Sequence, residues 1–161
     1  MANEDYRVDT LEDATIAIDT LLTSGRYRVD ILSLALEPAL YDRPPVADAL
    51  RSIVTSAGRR AQIRILLEDG AEATRGGHRI VALAQQLTTG IDVRRLSSED
   101  AGYATTCLIV DKRAVIRWQP AGAYAAYVAP DSRAAAHRLG REFLDFWERA
   151  EPEPELRRLT L

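Results

Sequence analysis

The chain has 161 residues, 47% of them hydrophobic and 28% charged, so it is long enough for one sizeable core and short for two domains. Its formal net charge of −3 is too small to indicate polyanion binding by itself, and its single cysteine excludes an internal disulfide and cysteine-based metal motifs. No run of about 18 apolar residues is present, so we expect a cytoplasmic protein with no membrane partner.

The start of the chain predicts a short arm followed by a helix and a strand. Residues 1–9 are assigned to an acidic N-terminal arm, and residues 10–161 to a single domain. Apolar residues recur at helical spacing from the N-cap Thr10 to a stop at Gly25, which predicts an amphipathic helix. Alternation over residues 27–33 then predicts a strand that becomes buried on both faces.

The next segment predicts a strand–helix–strand unit. A turn-rich connection over residues 37–45 leads into the clearest helix of the chain, residues 44–57, and then into a strand over residues 62–67. Such a unit places its two strands parallel to each other. Residues 68–77 are rich in glycine and charge and are predicted to be a loop at the carboxyl end of a strand, where open α/β sheets bind ligands.

The second half predicts one more strand–helix unit and an antiparallel hairpin. A helix over residues 80–87 precedes a third strand over residues 91–96. An apolar run over 105–110 is predicted to turn back into a strand over 114–118. Residues 124–128 are predicted to add an edge strand after the Gln-Pro-Ala-Gly break.

The last helix is predicted to begin at Asp131 or Ser132, either of which is a good N-cap, and to close the core with one apolar face. Apolar residues return in the tail at 156–161, and we expect this tail to dock on the body.

Together, the predicted elements indicate an α/β fold, with a mixed, partly parallel sheet and helices on both faces.

Two stretches of sequence resemble a known family. They are LEPALYDRP at residues 36–44 and FWERAEPEPELRRL at residues 146–159, and the resemblance spans roughly residues 10–161. They look like a bacterial family with a degenerate phospholipase D-like domain, to which no activity is assigned. The resemblance implies a fold like one half of a phospholipase D-type protein, a bacterial source and a homodimer.

The resemblance also implies where catalytic residues would stand. Active members carry His-x-Lys-x-x-x-x-Asp on a late strand, and placing the aspartate at Asp111 puts Ala104 at the histidine position and Thr106 at the lysine position. The implied mechanism needs a histidine nucleophile and a lysine that holds the phosphate charge. We therefore expect a pseudoenzyme with no catalytic residue, cofactor or metal, acting as a binding or regulatory module for an anionic ligand or a protein partner.

The best local candidate site is Arg75-Gly76-Gly77-His78-Arg79, at a predicted helix start. Backbone N–H groups, the helix dipole and two guanidinium groups at such a position can hold a phosphate or carboxylate. The alternative interpretation is a solvated helix start with an ordinary histidine cap. The enzymatic alternative is a phosphodiesterase or hydrolase that uses His78 with Arg75 and Arg79.

Nucleic-acid binding is a weaker alternative that depends on five arginines. They are Arg59, Arg60, Arg64, Arg94 and Arg95. These residues form a basic patch if their strands are neighbours, but no aromatic residues that could stack on bases are interleaved with them. We interpret them as solvated side chains and expect no nucleic-acid partner.

Four further residues with reactive side chains are interpreted as structural. Cys107 lies in an apolar strand without a histidine nearby in sequence, which is typical of a buried small hydrophobe. Glu68 and Asp69 form an acid pair at a strand terminus, where adjacent residues point to opposite faces, so shared-proton catalysis is not expected of them. His137 is expected on a helix surface, with no metal-ligating partner at i+4.

Overall fold

The computed structural model describes residues 4–120 and 124–153 and contains an eight-stranded sheet with helices packed on both faces. The strands are β1 Tyr6–Val8, β2 Arg28–Ser33, β3 Gln62–Leu67, β4 Ile91–Arg95, β5 Cys107–Val110, β6 Ala114–Trp118, β7 Ala126–Ala129 and β8 Glu151–Pro152. The helices are α1 Leu11–Thr23, α2 Pro38–Tyr41, α3 Pro44–Ala57, α4 Ala71–Arg75, α5 Arg79–Gln86 and α6 Arg133–Arg149.

The sheet is mixed, as the sequence predicts. Its strand order is β1-β7-β6-β5-β2-β3-β4-β8. The strands β2, β3 and β4 run parallel, because each is joined to the next through a helical crossover. The remaining pairs are antiparallel, including the predicted hairpin of β5 and β6. The carboxyl ends of β2 and β3 therefore lie beside the start of β5 and the end of β6.

Capping side chains set the starts of the first and last long helices. The Thr10 hydroxyl accepts a hydrogen bond from the backbone N–H of Asp13 at 3.1 Å, as predicted. At the start of α6, the hydroxyl of Ser132 accepts from the N–H of Ala135 at 3.2 Å, so Ser132 is the N-cap of the two alternatives. Asp131 instead binds the guanidinium of Arg113 at 2.7 Å.

Three local predictions differ from the structure. The connection over residues 37–45 contains the short helix α2, and the predicted loop over residues 68–77 contains α4. Residues 126–129 are not at the edge of the sheet, because Tyr6–Val8 of the predicted arm forms β1 and pairs with β7. Short helices and arm strands depend on tertiary packing, which local sequence patterns do not encode. The tail at residues 156–161 lies outside the described residues.

Two cores lie on opposite faces of the sheet. One is formed with α1, α3 and α5 and includes the buried side chains of Ile18, Leu50 and Ile80. The other lies under α6, where the rings of Phe143 and Trp147 stack with their centroids 5.9 Å apart. The predicted placement of helices on both faces is confirmed.

A buried ion pair links β2 to β3 beneath α6. The Nε atom of Arg64 donates to Asp30 at 2.9 Å, and Arg28 reaches the other carboxylate oxygen at 3.3 Å. The guanidinium carbon of Arg64 lies 5.2 Å and 5.5 Å from the ring centres of Phe143 and Trp147. One terminal nitrogen of Arg64 has no hydrogen-bond partner among the described residues. The buried charge of Arg64 is therefore compensated by Asp30 and by the faces of the two rings.

Candidate functional site

A cleft of about 540 Å³ opens at the carboxyl ends of β2 and β3. Its wall is built from the end of β2, α2, the residue after β3, the segment before β5 and the end of β6. This is the edge at which open α/β sheets usually bind ligands. The cleft is therefore the principal candidate site of the molecule.

The charged side chains that line the cleft are both acidic. Glu68 follows β3 and is half-buried, while Glu37 precedes α2 and is exposed. Among the described residues, neither carboxylate takes part in an ion pair or accepts a hydrogen bond. The described lining contains no lysine, arginine or histidine, so nothing in it balances the two negative charges.

Three aromatic side chains share this cleft. Trp118 at the end of β6 is 9% exposed, Tyr41 at the end of α2 is 1% exposed, and Tyr103 at the rim is 82% exposed. The hydroxyl of Tyr41 is buried and makes no hydrogen bond of normal geometry with the described residues. Burial raises the pKa of this phenol, and the neighbouring Trp118 side chain only partly offsets the rise. An unsatisfied buried hydroxyl costs about 1–3 kcal/mol.

The loop that carries Glu37 is held in an uncommon backbone conformation. Leu36 has a φ of 53°, in the left-handed region that non-glycine residues rarely adopt. Its N–H donates to the hydroxyl of Ser33 at 3.0 Å, and its carbonyl oxygen lies 3.0 Å from Nε2 of His78. These two side chains therefore fix the position of Glu37 at the mouth of the cleft.

His78 is a buried cap rather than an open helix start. Its side chain is 2% exposed, and its Nδ1 atom accepts a hydrogen bond from the N–H of Ile80 at 3.1 Å. Because Nδ1 accepts, Nε2 carries the proton and donates to Leu36. Burial lowers the pKa of His78 below its ordinary value, which agrees with this neutral tautomer. Both ring nitrogens are thus occupied.

The predicted anion position beside His78 is filled by a residue of the chain itself. The carboxylate of Asp42 accepts from the backbone N–H of Arg79 at 3.0 Å and from its guanidinium at 3.1 Å. These contacts, led by the one from the backbone N–H, lower the pKa of Asp42. Arg75 binds the carbonyl of Ala71 at 3.3 Å. The structure thus favours the ordinary capped helix start over a site for an external anion.

The three residues that the resemblance places at the motif positions lie at two ends of the sheet. Ala104 and Thr106 line the cleft, whereas Asp111 follows β5 at the far end. The carboxylate of Asp111 accepts hydrogen bonds from three consecutive backbone N–H groups, of residues 26, 27 and 28, at 2.9–3.1 Å. Asp111 therefore joins the β5–β6 turn to the start of β2, which is a structural role.

A basic groove of about 530 Å³ lies beside α6 at the start of β2. Its basic lining residues are Arg28, Lys112, Arg133, His137 and Arg141. The last three are spaced four residues apart on α6 and so lie on one face of that helix. The one acidic lining residue, Asp30, is already bound by Arg28 and Arg64. The groove is therefore positively charged on a chain whose net charge is −3.

The five arginines considered for nucleic-acid binding are largely engaged within the protein. Arg64 is paired with Asp30, and Arg95 lies 3.4 Å from Glu151. Arg94 stacks 4.2 Å from the Trp147 ring centre, and Arg60 lies 5.5 Å from that of Tyr27. Arg59 lies in the exposed 3-10 turn after α3. Within residues 4–120 and 124–153, basic side chains instead gather at the α6 groove.

The remaining candidates behave as structural residues. Cys107 is buried, and burial raises the pKa of its thiol to about 12, which disfavours the reactive thiolate at neutral pH. Asp69 accepts a hydrogen bond from the N–H of Ala71 at 3.0 Å, away from Glu68. In the described part of the chain, no helix has the length and apolarity to cross a membrane.

Comparison with known families then identifies the chain. A family model described as a domain of unknown function, DUF7931, matches residues 10–159. The chain belongs to the DUF7931 family. No match to its sequence was found among curated proteins.

Solved structures show which fold this DUF7931 domain has. NucT from Helicobacter pylori superposes with a TM-score of 0.63 at 14% identity, over 93% of this chain and 99% of its own. Nuc from Salmonella typhimurium, a phospholipase D family member, gives 0.61 at 14% identity with the same coverage of each chain. The DUF7931 domain therefore has a phospholipase D-like fold, as the resemblance implied.

A third similar structure is larger. TrmBL2, an archaeal chromatin protein whose structure shows a novel mode of DNA binding, superposes with a TM-score of 0.68 at 16% identity. The match covers 94% of this chain, which spans only 55% of the archaeal chain. At this identity, the likeness concerns the fold.

Sequence reasoning missed the side chains that give the cleft and the groove their character. The sequence shows Glu68 as an acid at a strand end beside Asp69, but it gives no sign that Glu68 lines the same cleft as Glu37. The basic groove joins residues from β2, the β5–β6 turn and α6. In sequence, only the spacing of Arg133, His137 and Arg141 signals that groove.

Proposed function

We propose that this DUF7931 domain is a non-catalytic binding module that holds its ligand in the cleft at the carboxyl ends of β2 and β3. The observation that carries the proposal is the composition of that cleft. It lies where this class of sheet binds ligands, yet the histidine and lysine positions of the resembled motif are Ala104 and Thr106, and no described lining residue is His, Lys, Arg or Cys.

The described cleft lacks the histidine and lysine that phosphoryl transfer of the phospholipase D type needs, which supports the proposal. A hydroxyl nucleophile needs an adjacent base, and no hydrogen bond among the described residues joins a lining hydroxyl to Glu37 or Glu68. Among the described lining residues, a phosphate group in the cleft would also meet two carboxylates and no cation. The anionic ligand expected from the sequence is therefore better supported at the basic groove than in the cleft.

The hydrolase alternative based on His78, Arg75 and Arg79 has weaker support. A general base needs a free ring nitrogen within reach of the substrate. Both nitrogens of His78 are hydrogen-bonded within the protein, and the side chain is 2% exposed. Arg79 is occupied by Asp42.

A protein partner is compatible with the rim of the cleft. Leu34 is 50% exposed and Tyr103 is 82% exposed, and both line the cleft mouth. Exposed apolar and aromatic side chains of this kind are frequent at interfaces. The homodimer implied by the resemblance belongs to this proposal, as does a bacterial, cytoplasmic setting.

Ligand-detected and protein-detected NMR test the proposal on the full chain. We expect small fragments to shift the indole N–H signal of Trp118, in the cleft, without shifting that of Trp147, under α6. The fragments should be recovered chemically unchanged. In Ala104→Trp, which fills the cleft, the shifts should disappear, while Ala134→Trp on the exposed surface of α6 should retain them. Product signals, or no fragment that shifts Trp118, would refute the proposal.

Nucleic-acid binding is the second candidate, and the basic groove is the observation that favours it. Arg133 and Arg141 are eight residues apart on α6, about 12 Å along the helix axis. This length spans three to four nucleotides at roughly 3.4 Å each, so the groove fits a backbone better than one phosphate. TrmBL2, which shares the fold, is a DNA-binding chromatin protein.

Fluorescence anisotropy with a labelled DNA duplex tests this second candidate. Binding through the groove should weaken steeply with added salt, and Arg133→Ala/Arg141→Ala should lower the slope of the logarithmic salt plot by about 2. The matched control Arg59→Ala/Arg138→Ala removes two exposed arginines outside the groove and should change little. Absent binding, or equal effects of the two variants, would remove this candidate.

A further inference from the structure

We propose that the cleft binds an organic cation, an ammonium or guanidinium group on a partly apolar body. This inference rests on the proposed function, since it names the ligand class of the same cleft. It reverses the charge of the ligand expected from the sequence. Four features of the described cleft support it: its charge, its aromatic walls, an unsatisfied hydroxyl and its poor fit to a metal ion.

The charge of the cleft is the first feature. Glu37 and Glu68 are its charged lining residues, and both carboxylates lack ion-pair partners among the described residues. Two like charges on the wall of one cavity disfavour each other, and a cation bound in that cavity would be attracted by both. Since Glu68 is half-buried, its interaction with a bound cation is less screened than that of a surface carboxylate.

The aromatic walls are the second feature. Trp118 and Tyr41 form part of the cleft wall and are almost fully buried, whereas Tyr103 lies exposed at the rim. Aromatic ring faces attract ammonium and guanidinium groups, and tryptophan does so most strongly. Leu34, Leu40 and other apolar side chains complete the wall. Aromatic and apolar walls with two carboxylates favour a cation that carries hydrocarbon.

The hydroxyl of Tyr41 is the third feature. It is buried in the wall of the cleft and makes no hydrogen bond of normal geometry with any described residue. Its oxygen can accept a hydrogen bond from an N–H group of an ammonium or guanidinium. Because this oxygen has almost no exposed surface in the free protein, a ligand donor would satisfy it only by displacing part of the surrounding wall.

A metal ion fits this cleft less well than an organic cation. Calcium takes six to eight oxygen ligands, and the cleft offers two carboxylates. In the described part of the chain, no three residues among His, Cys, Asp and Glu are grouped so as to hold a metal ion. The apolar part of the wall would contribute nothing to metal coordination.

Paired ligands that differ only in charge test the inference on the full chain. Choline is compared with dimethylbutanol, its neutral carbon isostere, by titration of the Trp118 indole N–H signal. A short peptide with one arginine is compared with the same peptide carrying neutral citrulline. The variants are Glu37→Gln/Glu68→Gln and, as a matched control, Glu72→Gln on the exposed side of α4.

We expect at least one cation to bind about tenfold more tightly than its neutral isostere. The double variant should abolish this preference, and Glu72→Gln should keep it. Preference for choline indicates a small ammonium compound as ligand, recognised by charge and ring faces without an N–H donor, and preference confined to the arginine peptide indicates a side chain of a protein partner. Equal binding of cation and isostere would overturn the inference and leave the proposed function intact. Failure of all four ligands to shift Trp118 would overturn the inference as well, and the fragment screen would decide the proposed function separately.

Discussion

His78 and Asp111 are the two residues whose side chains the sequence marks most clearly, and both hold the backbone. His78 joins the start of α5 to the carbonyl of Leu36, and Asp111 joins the β5–β6 turn to the start of β2. The sequence marks these two residues because a helix start and a hairpin turn are both recognisable from neighbouring residues. It does not reveal their partners, because Leu36 is 42 residues from His78 and Arg28 is 83 from Asp111.

Replacing His78 tests its role as a buried cap. We expect His78→Ala to lower the free energy of unfolding by about 2–4 kcal/mol, because it removes a cap and leaves the carbonyl of Leu36 unpaired. His137→Ala, at an exposed position of α6, should change it by less than about 0.5 kcal/mol. Chemical denaturation measures both. Equal stability of the two variants would contradict the assigned role.

The lowered pKa of His78 also predicts a pH dependence. Below the ordinary pKa of about 6.5, the unfolded chain binds a proton that the folded chain resists, so stability falls as the pH drops. We expect the free energy of unfolding to decrease between pH 7 and pH 5, and to decrease less in His78→Gln. Denaturation curves across this range measure the effect, and an unchanged slope in the variant would show that His78 does not cause it.

Replacing Asp111 tests whether this motif position is structural. Asp111 and Lys112 both have positive φ, of 54° and 56°. We expect Asp111→Ala to cost about 2–3 kcal/mol, because three backbone N–H groups lose their acceptor, and Asp111→Asn to cost less. Lys112→Ala has the same backbone strain without that loss and is the control. If Lys112→Ala is equally destabilising, backbone conformation rather than capping is responsible.

At the scale of elements, the sequence predicts the helix α6 itself but not the contacts between the strands beneath it. The helix, its apolar face and its N-cap follow from spacing and from Ser132. The pairing of Asp30 with Arg64 below it was not predictable, because it needs the register of β2 against β3. The cleft has the same origin, since Glu37 and Glu68 come to line one cavity only after β2 and β3 are paired.

The buried pair predicts a specific double-variant result. Asp30→Asn leaves the Arg64 charge buried without its carboxylate, so we expect a loss of about 3–5 kcal/mol. Asp30→Leu/Arg64→Met removes both charges and should recover most of that loss. Thermal and chemical unfolding compare the three proteins. A double variant less stable than Asp30→Asn would show that the charges themselves stabilise the link between β2 and β3.

At the scale of the whole molecule, opposite charges gather at opposite ends of the central strand β2. The acidic cleft includes Ser33 at its carboxyl end, and the basic groove includes Arg28 at its start. The overall fold followed from the alternation of strands and helices, and the similar structures confirm it as phospholipase D-like. The distribution of charge did not follow, because residues from distant parts of the sequence build each surface.

Turnover of a phosphodiester tests the central claim, that a phospholipase D-like fold here serves binding without catalysis. The substrate is bis(p-nitrophenyl) phosphate, with the purified full chain compared with His78→Ala and Glu68→Gln at several salt concentrations. We predict no release of nitrophenol above the buffer rate for any of the three proteins. Release by the natural sequence that is lost in Glu68→Gln, or in His78→Ala at a temperature where that variant is folded by circular dichroism, would contradict the account and locate an active site at the substituted residue.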